Sequence, residues 1–210
     1  MNRPSKQVDA QLIASGLALL PQTGCAGLSV RKLAEHAGVN LGMFHYHFKN
    51  KDNFISILLE QMYDGMFVEL QLQTGAQIDS VASLRAAVTV LGRFALKHRA
   101  MLGMLLSEAA RGEKVPLNFL RKNLPRHVLV LAGLVRQGQA DGSLIDVPIQ
   151  QLLPFMAGGI IGPILAGRAA EHAIAPAMAP LVNDAVLSEQ ALLQRIELAL
   201  RAITLIKEAP

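Results

Sequence analysis

Cysteine occurs once in these 210 residues, tyrosine twice and tryptophan nowhere. A lone Cys25 cannot close an internal disulfide, and a single thiol suits a reducing cytoplasm. Charged side chains are scarce at 17% against 51% hydrophobic, which excludes a mainly disordered chain and leaves ample material for a core. Met1 to Gln11 is polar and no continuous apolar stretch follows it, so no secretory signal is expected. The apolar run Leu152 to Gly167 falls short of the roughly twenty residues that cross a bilayer, and it contains Pro154 and Pro163. It is expected to be a helix buried in protein, with no membrane partner. A Gly-rich phosphate loop, Gly-x-Ser-x-Gly, a paired-acid site and a Cys-His signature are all missing. No catalytic residue, cofactor or metal is therefore assigned, and an enzyme is not expected.

Strand alternation is missing as well, and the apolar residues recur at helical spacing, so the fold class is all-α. A first helix is expected over Gln7 to Leu20, closed by Pro21 and Gly24. Arg3 and Lys6 precede it on a short arm expected to fray. Two short helices follow, Ser29 to His36 and Asn40 to His47. A long one over Lys51 to Gln73 comes next, then Asp79 to His98 and Met101 to Ala110. Pro116 to Gln139 is helical with an interruption at Pro125. Pro148 to Ala170 is apolar, Pro176 and Pro180 mark a loop, and a last helix is expected over Ser188 to Lys207.

The informative stretch is Ser29 to Asp52. Ser29 is placed to cap a helix whose Val30, Leu33, Ala34 and Ala37 share one face. Gly38 supplies the positive φ that ends it, Val39 plugs the turn, and Asn40 caps a second helix. That is the pattern of a helix-turn-helix, whose second helix enters a DNA major groove. Charge agrees. Residues 1 to 51 carry six Lys/Arg against Asp9 and Glu35, a net +4, while residues 52 to 210 sum to zero. A basic head on a neutral body is the electrostatic footprint of a DNA reader.

The order Gly24, Ser29-Val30-Arg31, Ala37-Gly38-Val39, His45-Tyr46-His47-Phe48 and Lys49-Asn50-Lys51-Asp52 resembles the DNA-binding domain of the TetR family of bacterial transcriptional regulators. The likeness covers about the first quarter of the chain. It implies a helix-turn-helix DNA-binding domain over residues 1–50 and a helical ligand-binding and dimerisation domain over 51–210. Phe44 and Phe48, at i and i+4, are expected to face inward. Gly42 lets the recognition helix approach DNA closely, and His45, Tyr46 and His47 offer hydrogen-bonding tips to phosphates and base edges. Arg31 and Asn40 are candidates for the DNA backbone, and Lys51 for a phosphate, as the family's equivalent lysine is. Leu41 and Met43 stand where the family often has Lys or Arg and Thr or Ser; they are apolar candidates for thymine methyl groups. His45 and His47 do not share a metal, since residues two apart point about 200° apart around a helix.

In the body, Phe94, Met101, Met104, Leu105, Phe119, Phe155 and Met156 are candidate walls of an apolar effector pocket, with Glu108, His127 and Arg168 as polar anchors. Plain core packing is the competing explanation for each of them. The basic cluster Arg111, Lys114, Arg121, Lys122 and Arg126 is read as a solvated face. The resemblance implies that the last two helices pack into a four-helix dimer interface, and Leu152 to Gly167 with Ser188 to Lys207 fits that part. A single recognition helix reads too few base pairs, so a homodimer on a palindromic double-stranded operator is expected. The function expected is a ligand-responsive, sequence-specific DNA-binding regulator, a repressor released by a small apolar or amphipathic effector. An all-α enzyme, or a dimeric adaptor without specific DNA binding, is the alternative; specific and salt-dependent duplex binding separates them.

Overall fold

The computed structural model describes residues 3–173 and 179–205, with the side chains of 3–6, 168–173, 179 and 181 outside the description. Among the described residues the chain forms α1 (Arg3–Gly27), α2 (Val30–Ala37), α3 (Leu41–Phe48), α4 (Lys51–Gly75), α5 (Ser80–Lys97), α6 (Arg99–Ala110), α7 (Lys114–Ala140), α8 (Ile149–Ile160), α9 (Gly162–Ala173), α10 (Ala179–Ala185) and α11 (Glu189–Ile203). The one extended pairing among them is a single bridge between Leu144 and Thr204. The class is all-α. Two compact units result: Met1–Asp64 with Ala100–Asn123, and Gly65–Arg99 with Leu124–Pro210.

The first unit is organised on an aromatic cluster. Phe44, Phe48 and Phe54 are all buried, with ring centroids 4.9 to 5.7 Å apart, and Leu12, Leu20, Leu33 and Leu58 close around them. Helices α1 and α4 cross at Gly16, where a Cβ would lie 2.4 Å from Leu58 and 2.6 Å from Phe54. Helix α1 starts at Arg3, so the expected frayed arm is helical from there. It also runs through Pro21, where an end was expected. Proline removes the bond to the Leu17 carbonyl, yet Gln22 and Thr23 side chains donate to the carbonyls of Ala18 and Leu19 and help satisfy the last turn. The break comes at Gly24 instead, at φ 69 and ψ 174.

Helix α7 is likewise continuous across Pro125, where an interruption was expected. Its anchor lies two residues earlier. Asn123 is buried, donates through Nδ2 to Glu60 Oε1 and Phe119 O, and accepts at its own carbonyl from Tyr63 Oη at 2.8 Å. Packing against α4 holds the helical path that the proline weakens.

In the second unit α5 and α11 meet at Gly92, where a Cβ would lie 2.6 Å from Leu192. Leu84, Ala87, Val88, Leu192, Ile196, Leu200 and Ile203 are the buried stripes of the two helices. Arg93–Glu189 at 2.7 Å and Arg85–Glu197 flank the seam. Buried Ser80 donates to Asp141 and meets Ser143, and Ile145 and Leu205 backbone N–H groups pin the end of α11 to the 143–145 loop. The helix expected over Leu152 to Gly167 is instead two, broken at Ile161, with Pro163 in the first turn of α9 where a missing N–H is tolerated. Nor is it buried on all sides. Ile149–Gly167 is long and apolar enough to cross a membrane by length and composition alone, and 22% of it is buried.

Candidate nucleic-acid interface

The turn between α2 and α3 is built by short-range bonds. Ser29 is extended and its side chain accepts from Lys32 N–H, capping α2. Gly38, at φ 66 in the left-handed region, ends the helix, and the N–H of Val39 returns to the Ala34 carbonyl at 3.0 Å. Asn40 then caps α3, its Oδ1 accepting from Gly42 N–H at 2.7 Å. Leu33, Ala34, Phe44 and Phe48 are buried, which seats both helices on the core.

Burying Phe44 and Phe48 turns the opposite side of α3 outward. Leu41 is 42% exposed and Tyr46 78%, with Gly42 and His45 exposed and Met43 half-buried beside them. Asn40 is exposed at the same end, and Arg31 is exposed on α2, where its Nε pairs with Glu35 at 3.0 Å. The exit from α3 is unusually tight. Lys49 adopts φ 63 and ψ −57, and Asn50 N–H donates to Phe48 O at 2.7 Å, which makes a γ-turn of the rare, strained kind. His45 Nδ1 approaches Lys49 O at 3.2 Å, while Asn50 and Asn53 side chains bond the start of α4 and the Phe48 carbonyl. Lys51 opens α4 with its ammonium on the Ala26 carbonyl at 2.9 Å.

His47 is placed differently from its neighbours. Its side chain is 6% exposed and points into the head, with Nδ1 2.7 Å from Asp9 Oδ1 on α1. Among the described residues, neither Asp9 Oδ1 nor His47 Nε2 has an aligned hydrogen-bond partner. His47 thus ties α3 to α1, whereas the sequence reading offered it to DNA. His36 stays exposed, with one ring nitrogen 2.9 Å from Ser15 Oγ.

The ten effector-pocket candidates are distributed over both units. Met101 and Leu105 are fully buried core, Phe119 is buried with its ring against Tyr63, and Met104 is half-buried. Glu108 is 5% exposed, and both of its carboxylate oxygens accept from Cys25 N–H at 3.0 and 3.1 Å, so it is engaged within the protein and not offered as a free anchor. In the second unit Met156 is buried, while Phe155 is 53% exposed and turned to solvent. Phe94 and His127 are half-buried; Phe94 stacks on His98 at 4.8 Å. Burial pushes His127 below the ordinary imidazole value, and burial together with Lys97 does the same for His98. Both rings are held neutral. The side chain of Arg168 lies outside the described residues. Of the basic cluster, Lys122 pairs with Glu60, Arg111 with Ser107 and, at 4.0 Å, with Glu108, and Arg126 lies over the Phe67 ring.

A second exposed surface follows α8 and α11. Phe155, Leu193, Leu198 and Leu205 are open, and no atom lies within 4 Å of a Cβ placed on Gly158 or Gly159. Along α11 runs an open groove of about 820 Å³ lined by Glu189, Gln190, Leu193, Gln194, Glu197, Leu198 and Arg201. Sequence reasoning named Gly24 as an end of the first helix but missed the buried Glu108 carboxylate that sits on it. The 83 residues between Cys25 and Glu108 leave no linear signal.

Residues 12–56 match the model of the tetR family of bacterial regulatory proteins, a span that holds the turn, the recognition helix and Lys51. The HTH-type transcriptional repressor KstR2 of Mycolicibacterium smegmatis is 23% identical over 144 residues, covering 68% of this chain and 69% of the relative. Among solved structures, the ketosteroid transcriptional regulator KstR2 of Mycobacterium tuberculosis superposes with a TM-score of 0.69 at 18% identity, covering 94% of this chain and 95% of that one. The transcriptional regulator FadR of Bacillus subtilis, solved with stearoyl-CoA, gives 0.65 at 15% identity over 86% and 98%. With the capped turn and outward Tyr46 lying inside the matched span, residues 12–56 carry the helix-turn-helix of the tetR family of bacterial regulatory proteins, and the chain as a whole is similar to DNA-binding transcriptional regulators.

Proposed function

We propose that the protein acts in the cytoplasm as a homodimeric, ligand-responsive repressor that binds a palindromic operator and leaves it when a small apolar or amphipathic molecule binds. The observation that carries the DNA-reading half is the outward row of α3, with Tyr46 78% exposed on a helix capped and seated by buried phenylalanines. Leu41, Gly42, Met43, His45 and Tyr46 face the groove, Arg31, Asn40 and Lys51 contact the backbone, and His47 orients the helix from within. The open face of α8 and α11 supports self-association, because helices of this kind bury such a face against a second copy. The proposed effector class is supported by two structural neighbours, one a ketosteroid transcriptional regulator and the other solved with stearoyl-CoA. Phe94 and the neutral His127 are the contacts retained for it. The effector moves the equilibrium only by its differential affinity for the bound and released states.

Selection of duplexes from a random library by the full-length protein, at two salt concentrations, tests the reading. One palindrome, bound less tightly as salt rises, is the expected result. Tyr46→Phe and Lys51→Ala then weaken binding to that duplex while leaving the dimer intact. Recovery of no preferred sequence overturns the assignment. Stearoyl-CoA added to the complex tests release by an amphipathic molecule.

A further inference from the structure

Between Gly24 and Leu28 the chain makes one turn that is gripped at both ends by charged side chains from other helices. The backbone breaks at Gly24, and Leu28 N–H closes the new turn on the Gly24 carbonyl at 3.2 Å. Donors that open such a turn have no partner within it. Cys25 N–H finds one in Glu108, donating to both carboxylate oxygens. The fit is close, since a Cβ on Gly24 would sit 2.3 Å from Glu108 Oε1. At the other end the Ala26 carbonyl accepts from Lys51 Nζ at 2.9 Å. An anion at the donor end and a cation at the acceptor end both complement the dipole of the turn. Three helices therefore converge on five residues: α6 through Glu108, α1 through its broken end, and α4 through Lys51.

We propose that Glu108 is a positioning residue for DNA binding, holding the Gly24–Leu28 turn so that the turn in turn holds the Lys51 ammonium at the operator backbone. This rests on the reading of Lys51 as a phosphate contact. An ammonium has three donors, and the one spent on Ala26 leaves two for phosphate oxygens. The strength of the grip has a chemical reason: a buried carboxylate on a backbone N–H makes a charge-assisted bond, and the Arg111 guanidinium at 4.0 Å adds a looser, solvent-exposed ion pair to the same carboxylate. Cys25 reports the grip. Burial and its bond to Glu108 push the thiol well above the ordinary cysteine range, so it stays protonated and inert.

The test uses the full-length protein, the duplex recovered by selection, and the variants Glu108→Gln, Lys51→Ala and their combination. Glu108→Gln lowers affinity roughly three- to tenfold in the wild-type background, the loss of one charge-assisted contact. In the Lys51→Ala background it changes affinity less than about twofold, because the group it positions is gone. Equal losses in both backgrounds, or none in either, overturn the proposal. Glu108→Asp, which keeps the charge and withdraws it, shows the same dependence on Lys51 and stands in if the glutamine variant misfolds. The rate at which 4,4′-dithiodipyridine labels Cys25, the sole thiol, rises in both Glu108 variants without any DNA present. If Lys51→Ala binds the duplex like wild type, the reading of Lys51 falls and the positioning role with it. An unchanged labelling rate in the Glu108 variants shows that the grip itself is absent.

Discussion

Gly24 combines a backbone conformation that only glycine holds comfortably with a space already filled by a carboxylate oxygen. Gly24→Ala is expected to cost about 2–3 kcal/mol, from the strained dihedrals plus displacement of Glu108. Urea denaturation measures it; a loss of under about 0.5 kcal/mol would mean that the turn relaxes freely. His98 and His127 lead to a pH dependence. Their folded-state affinities for protons are lowered by burial, so the unfolded chain binds protons more readily below the ordinary histidine value of about 6.5. Stability is therefore full above that pH and declines as pH falls through it. Melting temperature followed from pH 8 to pH 5 should drop, and should drop less in a His98→Gln, His127→Gln double variant. A flat profile for the wild type would show that neither ring is held neutral.

Helix α3 is oriented by what it buries: two phenylalanines on the core and His47 on Asp9. Asp9→Asn and His47→Gln should each weaken operator binding, and the double variant should be little worse than either, because both release the same tie. A loss from His47→Gln with none from Asp9→Asn would put His47 back among the groups that touch DNA. Helices α2 and α3 were legible to within a residue because Ser29, Gly38 and Asn40 act through bonds only two to five residues long, whereas α1 extends past its expected bounds at both ends. The inward turn of His47 was not, since its partner is on α1 and its neighbours Tyr46 and Phe48 take opposite sides. Pro21 and Pro125 misled for one physical reason. Each removes a backbone donor, but neighbouring side chains at Gln22 and Thr23, and the anchored Asn123, hold the helix through the gap. In the body the apolar residues were legible as core, while Phe155 at the surface and Glu108 in the head show how little spacing says about which core a residue joins.

As a molecule, the protein exposes Phe155 on α8 and Leu193 and Leu198 on α11, the face proposed for self-association. Two-fold association places each exposed side chain opposite a copy of the same surface, so one substitution acts twice. Leu198→Glu adds charge beside Glu197 on that face and should convert the dimer to monomer in sedimentation velocity, with a fall in operator affinity and no fall in helix content. A variant that remains dimeric would locate the interface elsewhere. The composition of the first unit has a further consequence. Its chain is discontinuous, residues 1–64 completed by 100–123. A fragment cut after α4 would carry the whole helix-turn-helix and the family match, yet leave behind the carboxylate that closes the end of α1. Anyone transplanting this reading head onto a different sensor would have to move two pieces of sequence together, or supply from the new host an acid that reaches Cys25.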